Sequence, residues 1–323
     1  VAGLRVFFIE NGHKIIDFYT SLLLFFAYLC QITCIIQYQK QMKTIRLNNG
    51  VEMPMLGYGV YQVEPSEARR CVEDALAVGY RMIDTAQMYR NEEGVGEAIK
   101  AGGVSREDIF LVDKVWFTNY AGGDAARSID ESLRKLGTDY IDLMLLPQPF
   151  GDRYNGYRAL AAALKAGKVR AIGVSNFLPD HLIDLCHFMD VTPAVNQVET
   201  HAFFQHTELR RYMDELGVRH MSWGPFAEGA NGFFTNETLR AIGEKYGKTG
   251  AQAALRYLLQ RDIIIIPKSV HKDRMAQNFD IFDFELSEAD MSEILKLDTG
   301  HPVVMPSHHS GEVAKMFMGF PKL

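Results

Sequence analysis

The sequence predicts a single (β/α)8 barrel, a TIM-type α/β fold, and three observations carry that prediction. Short apolar runs alternate with amphipathic helical stretches eight times from residue 55 onward. The alternation fills about the ~250 residues that such a barrel occupies. No G-x-G-x-x-G follows the first apolar run, so the main signature of a doubly wound nucleotide-binding sheet is missing.

Residues 1–41 stand apart from this pattern. From Ile15 to Ile36 the chain is strongly apolar, with Leu22, Leu23, Leu24, Phe25 and Phe26 in one block. Asp17, Thr20, Ser21, Gln31 and Thr33 interrupt it, Arg5 and Lys14 precede it, and Lys40 and Lys43 follow. Three origins fit. A signal anchor fits because ~20 apolar residues span a bilayer. A cleaved secretory signal fits less well, since no A-x-A-like site follows the block. Translated upstream sequence fits the change of composition at Met42 and is favoured. The fold is therefore sought in residues 42–323, with residues 1–41 as an extension outside it. Membrane association is expected only if residues 15–36 are a genuine anchor.

The barrel domain opens with a hairpin. Thr44 to Leu47 and Val51 to Pro54 flank Asn48-Asn49-Gly50, a strong hairpin signal. Strands are then expected at 55–60, 82–84, 109–114, 141–146, 171–175, 194–199, 219–223 and 263–267. Helices are expected at 66–78, 92–101, 125–136, 156–166, 179–188, 207–216 and 249–260, with another after Lys272. An extra helix at 287–296 has Ser287 as N-cap and Asp290 as its capping acid. The tail, residues 301–323, reads as a loop over one mouth of the barrel. No Pro-, Gly- or Ser-rich linker and no low-complexity tract divides the chain.

Composition excludes some functions. A chain of 323 residues buries most of its apolar surface without disulfide staples. Its four cysteines, Cys30, Cys34, Cys71 and Cys186, show neither a disulfide framework nor zinc spacing. A reducing compartment follows as the expectation, cytoplasmic unless the N-terminal segment anchors the chain. The net charge of −6 argues against a broad nucleic-acid-binding face.

Chemistry in such a barrel sits at the C-terminal ends of the strands. Met82-Ile83 ends in Asp84, and 109–112 ends in Asp113-Lys114, with Tyr89 in the loop after Asp84. Neighbouring strands bring Asp84, Tyr89 and Lys114 to one mouth. A phenol with a pKa near ~10 is a poor acid at neutral pH. A nearby ammonium favours the phenolate, and a carboxylate keeps that ammonium charged and aimed. The three together can give a proton to a carbonyl oxygen. Taken alone, Asp84 and Lys114 equally suit a structural ion pair at the rim, and Tyr89 suits packing.

The stretch from Gly79 through Asp84-Thr85-Ala86-Gln87-Met88-Tyr89-Arg90-Asn91-Glu92 resembles the signature of the aldo-keto reductase superfamily. The likeness runs from Lys43 to about Gly300. It includes Leu56-Gly57-Tyr58-Gly59, Lys114-Val115-Trp116, Gly173-Val174-Ser175-Asn176-Phe177, and Ile266-Pro267-Lys268-Ser269 with Arg274 and Asn278. It is nearest to the bacterial branch of diketogluconate and methylglyoxal reductases.

The resemblance implies NADPH-dependent reduction of a small carbonyl compound by a tetrad of Asp, Tyr, Lys and His. Asp84, Tyr89 and Lys114 take three of those places, with Tyr89 as proton donor. The resemblance also implies that Ser175, Asn176 and Gln197 bind the nicotinamide carboxamide and that Trp223 stacks on its ring. Gly224, Pro225 and Phe226 would lie along the pyrophosphate. Lys268, Ser269 and Arg274 would hold the 2′-phosphate of NADP, and Asn278 would contact the adenine. Cations near a helix start are unusual, which favours a phosphate site over a solvated face. Tyr61 and Trp116 would line the substrate pocket. Monomers are common in such families, and a monomer is expected.

One place departs from the pattern. The family has His-x-Pro after the fourth strand, where this chain has Pro147-Gln148-Pro149. Proline has no side-chain donor and no N–H. Loss of one positioned donor costs on the order of 10²–10³ in rate in comparable oxyanion sites. Slow turnover, a preference for activated carbonyls, or a weakly active NADPH-binding sensor are the outcomes this leaves open. Gln148, one residue along, is expected to point away from the imidazole's place.

Overall fold

The computed structural model describes residues 43–322. The expectations for residues 1–41, including the conditional anchor, lie outside the described residues. Among the described residues no helix is long and apolar enough to cross a membrane.

The expected hairpin is present. β1 (Thr44–Arg46) and β2 (Glu52–Pro54) pair antiparallel, with Ile45 opposite Met53. Gly50 closes the turn at φ 88°, a conformation only glycine takes without a Cβ penalty. Leu47 and Met53 join the barrel core. Asn48 Nδ2 donates to the Pro193 carbonyl and Asn49 Nδ2 to the Arg170 carbonyl, so the hairpin seats on the N-terminal ends of the strands.

Eight parallel strands follow, each bonded to the next in chain order. They are β3 (Tyr58–Gly59), β4 (Met82–Asp84), β5 (Phe110–Lys114), β6 (Ile141–Leu146), β7 (Val169–Ser175), β8 (Val195–Glu199), β9 (Arg219–Trp223) and β10 (Ile264–Ile265). The first and last are shorter than expected because residues 55–57 serve the closing seam. Gly57 N donates to the Ile265 carbonyl at 2.8 Å, and Ile265 N donates to the Met55 carbonyl at 2.9 Å. A Cβ on Gly57 would stand 2.5 Å from Met82 Cε, so a larger residue there would force the Met82 side chain to move. Met82, Val112, Leu143, Leu145, Val195 and Met221 fill the interior. A barrel of this kind is a packed core rather than a pore.

Helices α1 (Pro65–Val78), α2 (Glu92–Ala101), α3 (Asp124–Leu136), α4 (Arg153–Lys165), α5 (Pro179–Phe188) and α6 (Thr207–Leu216) follow successive strands. After β9 the chain forms two short 3-10 turns across a kink (Ala227–Thr235) and α7 (Glu237–Lys245), neither expected. α8 (Gly250–Gln260) starts with a capping box between Thr249 and Gln252, and α9 (Lys272–Phe279) follows β10. In α10 (Glu288–Leu295) the Ser287 side chain accepts from Asp290 N, as expected.

The tail differs from the expected loop. Residues Gly311–Met318 form α11, capped by Ser310, which accepts from Glu312 N and Val313 N. Burial of Val313 and Phe317, one turn apart on one face, supplies the reason.

Candidate active site

The strand ends bring the expected residues to one mouth. Asp84, Lys114, Ser175 and Trp223 end β4, β5, β7 and β9, Pro147 follows β6, and Gln197 lies near the end of β8. Register explains the meeting of the first pair: β4 and β5 are bonded neighbours, with Asp84 opposite Val112.

Lys114 is the hub. Its Nζ donates to Asp84 Oδ1 at 2.6 Å, to the Thr85 carbonyl at 2.8 Å and to Tyr89 Oη at 3.4 Å. Asp84 and Lys114 are nearly fully buried. Burial alone would lower the Lys114 pKa, but the Asp84 carboxylate and the Tyr89 phenol override it and hold the ammonium above its ordinary value. Gln197 Nε2 donates to the other Asp84 oxygen at 2.8 Å, so both carboxylate oxygens are satisfied.

Tyr89 follows Asp84 through a 3-10 turn, Gln87–Tyr89. Asn91 fixes that turn: its Nδ2 donates to the Val60 and Val63 carbonyls, and its Oδ1 accepts from Thr85 Oγ1. Burial pushes the Tyr89 phenol up to about 12, while the Lys114 charge pulls it down. The lowering expected from the ammonium is real but smaller than the cost of burying a phenolate. Tyr61 is exposed and its ring lies 5.1 Å from that of Tyr89.

Trp116 is buried, and its indole Nε1 has no hydrogen-bond partner among the described residues. Phe317 and Phe320 of the tail pack on it at 6.1 and 5.5 Å. Pro147 is buried, and its carbonyl accepts from Asn176 Nδ2 at 2.9 Å. Gln148 is buried with Oε1 unpartnered. Asn176 takes a left-handed φ of 62°, and its Oδ1 accepts from Trp223 Nε1 at 2.9 Å. Ser175 Oγ donates to the Gln197 carbonyl at 2.6 Å.

A cleft lies beside these groups, with Asn176, Trp223, Glu199, Met305 and His308 among its walls. Asp84, Tyr89 and Lys114 are not among them. Gly224 follows Trp223 at φ 60°, with nothing within 4 Å of a Cβ built there. Pro225 is next, and Phe226 packs on Phe233 and Phe234. Lys268 is half-buried and Arg274 exposed, and among the described residues no carboxylate forms an ion pair with either. Ser269 Oγ accepts from His271 N at 3.0 Å, and Asn278 is buried on α9.

Two features were missed in the sequence. The first is the strap on the tail. Glu199 Oε1 accepts from Val303 N at 2.6 Å and Val304 N at 2.8 Å, and Oε2 accepts from Met305 N at 3.3 Å. Despite burial, His201 and these donors hold the Glu199 carboxyl below its usual range. The second is the tail helix over Trp116, for which Ser310 with Val313 and Phe317 was the available signal.

Residues 53–299 match the Aldo/keto reductase family. The glyoxal reductase of Bacillus subtilis (strain 168) is 45% identical over 253 residues, 78% of this chain and 91% of that protein. The methylglyoxal reductase of Escherichia coli (strain K12) is 41% identical over 259 residues, 79% of this chain and 94% of that protein. A crystal structure of an aldo/keto reductase from Brucella melitensis superposes with a TM-score of 0.77 at 42% identity, covering 80% of this chain and 98% of that one. A Bombyx mori aldo-keto reductase solved in complex with NADP superposes with a TM-score of 0.79 at 33% identity, covering 84% and 99%.

Proposed function

This chain belongs to the aldo/keto reductase family, and on that premise we propose that it reduces aldehydes or ketones to alcohols with NADPH. The observation that carries the proposal is the Lys114 ammonium, which reaches Asp84, Thr85 and Tyr89 at once. Tyr89 is the proton donor. Burial keeps its phenol protonated, and Lys114 stabilises the phenolate left when the proton moves to the carbonyl oxygen. Asp84 keeps Lys114 charged and aimed. NADPH, when bound, supplies the hydride that adds to the carbonyl carbon.

The residues present fit that cofactor. Trp223 is a half-buried aromatic at a strand end, suited to stacking on a flat ring. Ser175, Asn176 and Gln197 are the amide and hydroxyl groups for the carboxamide. Gly224, Pro225 and Phe226 line the pyrophosphate, and the open space at Gly224 supports a close approach. Lys268 and Arg274, which pair with no carboxylate among the described residues, and Ser269 suit a dianionic 2′-phosphate, which favours NADPH over NADH. Asn278 contacts the adenine.

Pro147 stands in the place of the family histidine. It leaves Tyr89 to polarise the substrate carbonyl alone, within a pocket lined by Tyr61 and Trp116. Activated carbonyls such as α-dicarbonyls need least help, and the relatives named for glyoxal and methylglyoxal fall in that class. Pro147 also favours a second reading, a weakly active NADPH-binding sensor. We further propose a cytoplasmic monomer; the unpaired Cys71 and Cys186 suit a reducing compartment.

NADPH consumption on methylglyoxal, phenylglyoxal and nitrobenzaldehyde tests the proposal. Turnover on the dicarbonyls supports a reductase. Tight NADPH binding with negligible turnover on all three supports the sensor.

A further inference from the structure

We propose that Asp180, His181 and His309 form a site for one divalent transition-metal ion of the zinc class, which staples the C-terminal tail to α5. The site does not depend on the hydride chemistry above. Asp180 and His181 lie in the first turn of α5, and His309 lies in the tail just before α11.

The geometry suits an ion. One ligand-type atom from each residue lies within 4.8 Å of the other two. His309 Nε2 is 3.1 Å and His181 Nδ1 3.7 Å from the same Asp180 oxygen. Two ligand atoms on a tetrahedral zinc stand about 3.3 Å apart, between those values. The two imidazoles stack at 5.2 Å with an 18° tilt.

A plain ion pair accounts for His309 and Asp180 but not for His181. Its Nδ1 is buried without a hydrogen-bond partner among the described residues, and 3.7 Å to Asp180 is too long to be one. A buried ring nitrogen 3.7 Å from a carboxylate and beside a second imidazole is a donor atom that a bound ion would satisfy. Asp180 and His309 are more than 40% exposed, so an ion has a path in and room for a water ligand.

The local charges permit a cation. The N-terminal end of α5 opposes one, but Asp180 carries a full negative charge there. Arg153 also acts on His181, and its guanidinium is paired with Asp184 at 2.9 Å. Two imidazoles with one carboxylate select zinc, copper or nickel over calcium or magnesium.

The site has a consequence for the mouth. Ser307 and His308, next to His309, line the cleft beside Asn176 and Trp223. Glu199 anchors the tail at residues 303–305, and the ion adds a second anchor at residue 309.

Titration of the full chain with Co2+, the spectroscopic stand-in for Zn2+, tests the site. One ion per chain is expected, with ligand-field bands and no thiolate charge-transfer band. His309→Ala and His181→Ala should each weaken binding by at least the ~10–100-fold that even outer-shell partners cost. His187→Ala, on the same helix, should not. Because His309 is exposed, its variant keeps the fold, which a thermal melt checks. Zn2+ should also slow protease cleavage within residues 301–322 of the unsubstituted chain but not of His309→Ala. No stoichiometric binding, binding that both variants leave unchanged, or thiolate bands would overturn the site. Stoichiometric binding with unchanged tail cleavage would overturn the staple.

Discussion

The carbonyl oxygen of Pro147 accepts a hydrogen bond from Asn176 Nδ2 at 2.9 Å. The backbone at this position therefore positions Asn176, a residue of the proposed cofactor site, even though its own side chain offers no donor. That bond uses only the carbonyl, so any residue at 147 can make it.

Pro147→His therefore isolates the missing side chain. It should raise kcat by about 10²–10³-fold on nitrobenzaldehyde, the range for a restored donor, and by less on phenylglyoxal. Steady-state NADPH oxidation by the two proteins checks this. Equal rates on both substrates would mean the missing imidazole is immaterial.

In the proposed reaction Tyr89 acts in its protonated form, so activity should be present below its pKa and lost above it. Burial holds that pKa at about 12 in the free protein. The pH profile of kcat/KM for NADPH, which reports free-enzyme groups, should show no phenol-linked fall up to about pH 10. A basic limb centred about two units lower would contradict this balance of burial and charge.

Lys268 and Arg274 should matter for one cofactor only. Charge-assisted bonds to phosphate contribute about 1.5–3 kcal/mol each. The Lys268→Ala/Arg274→Ala double variant should weaken NADPH binding by roughly 10²–10⁴-fold and NADH by a few-fold at most. Fluorescence titration with each nucleotide measures both. Equal losses would remove the 2′-phosphate from this site.

Glu199→Gln should free the tail. The amide keeps one acceptor oxygen and turns an N–H₂ toward backbone donors. A loss of about 2 kcal/mol of local stability corresponds to a roughly 30-fold larger open population at residues 303–305. Limited proteolysis of the tail reads this directly. The Glu199 carboxyl is held below its usual range, so its contribution is present above about pH 4.3 and fades as pH falls through the lowered value. The difference between wild type and variant should therefore shrink in acid.

Most of the barrel was legible because its strands are short apolar runs, two of which end in Asp84 and Lys114. Asp84 and Lys114 stood out for that reason, as did the Asn-Gly turn and the Ser287 cap. The closing seam was not legible, because residues 55–57 change partner only when the ring closes on Ile265. The tail helix was obscured by Gly311 and Gly319 at its ends and by only two buried apolar residues. Gln197 and Asp84 are 113 residues apart, so their bond belongs to the fold alone. The rise of the Tyr89 pKa is likewise a property of burial, which spacing does not report.

The most direct measurement is NADPH oxidation on phenylglyoxal by the full chain and its Tyr89→Phe variant, with NADPH affinity measured alongside. A proton donor of this kind contributes about 10²–10⁴-fold. The account predicts a loss of that size in kcat with NADPH binding unchanged. Turnover within a few-fold of wild type would contradict Tyr89 as the acid, and with it the role given to Lys114 and Asp84.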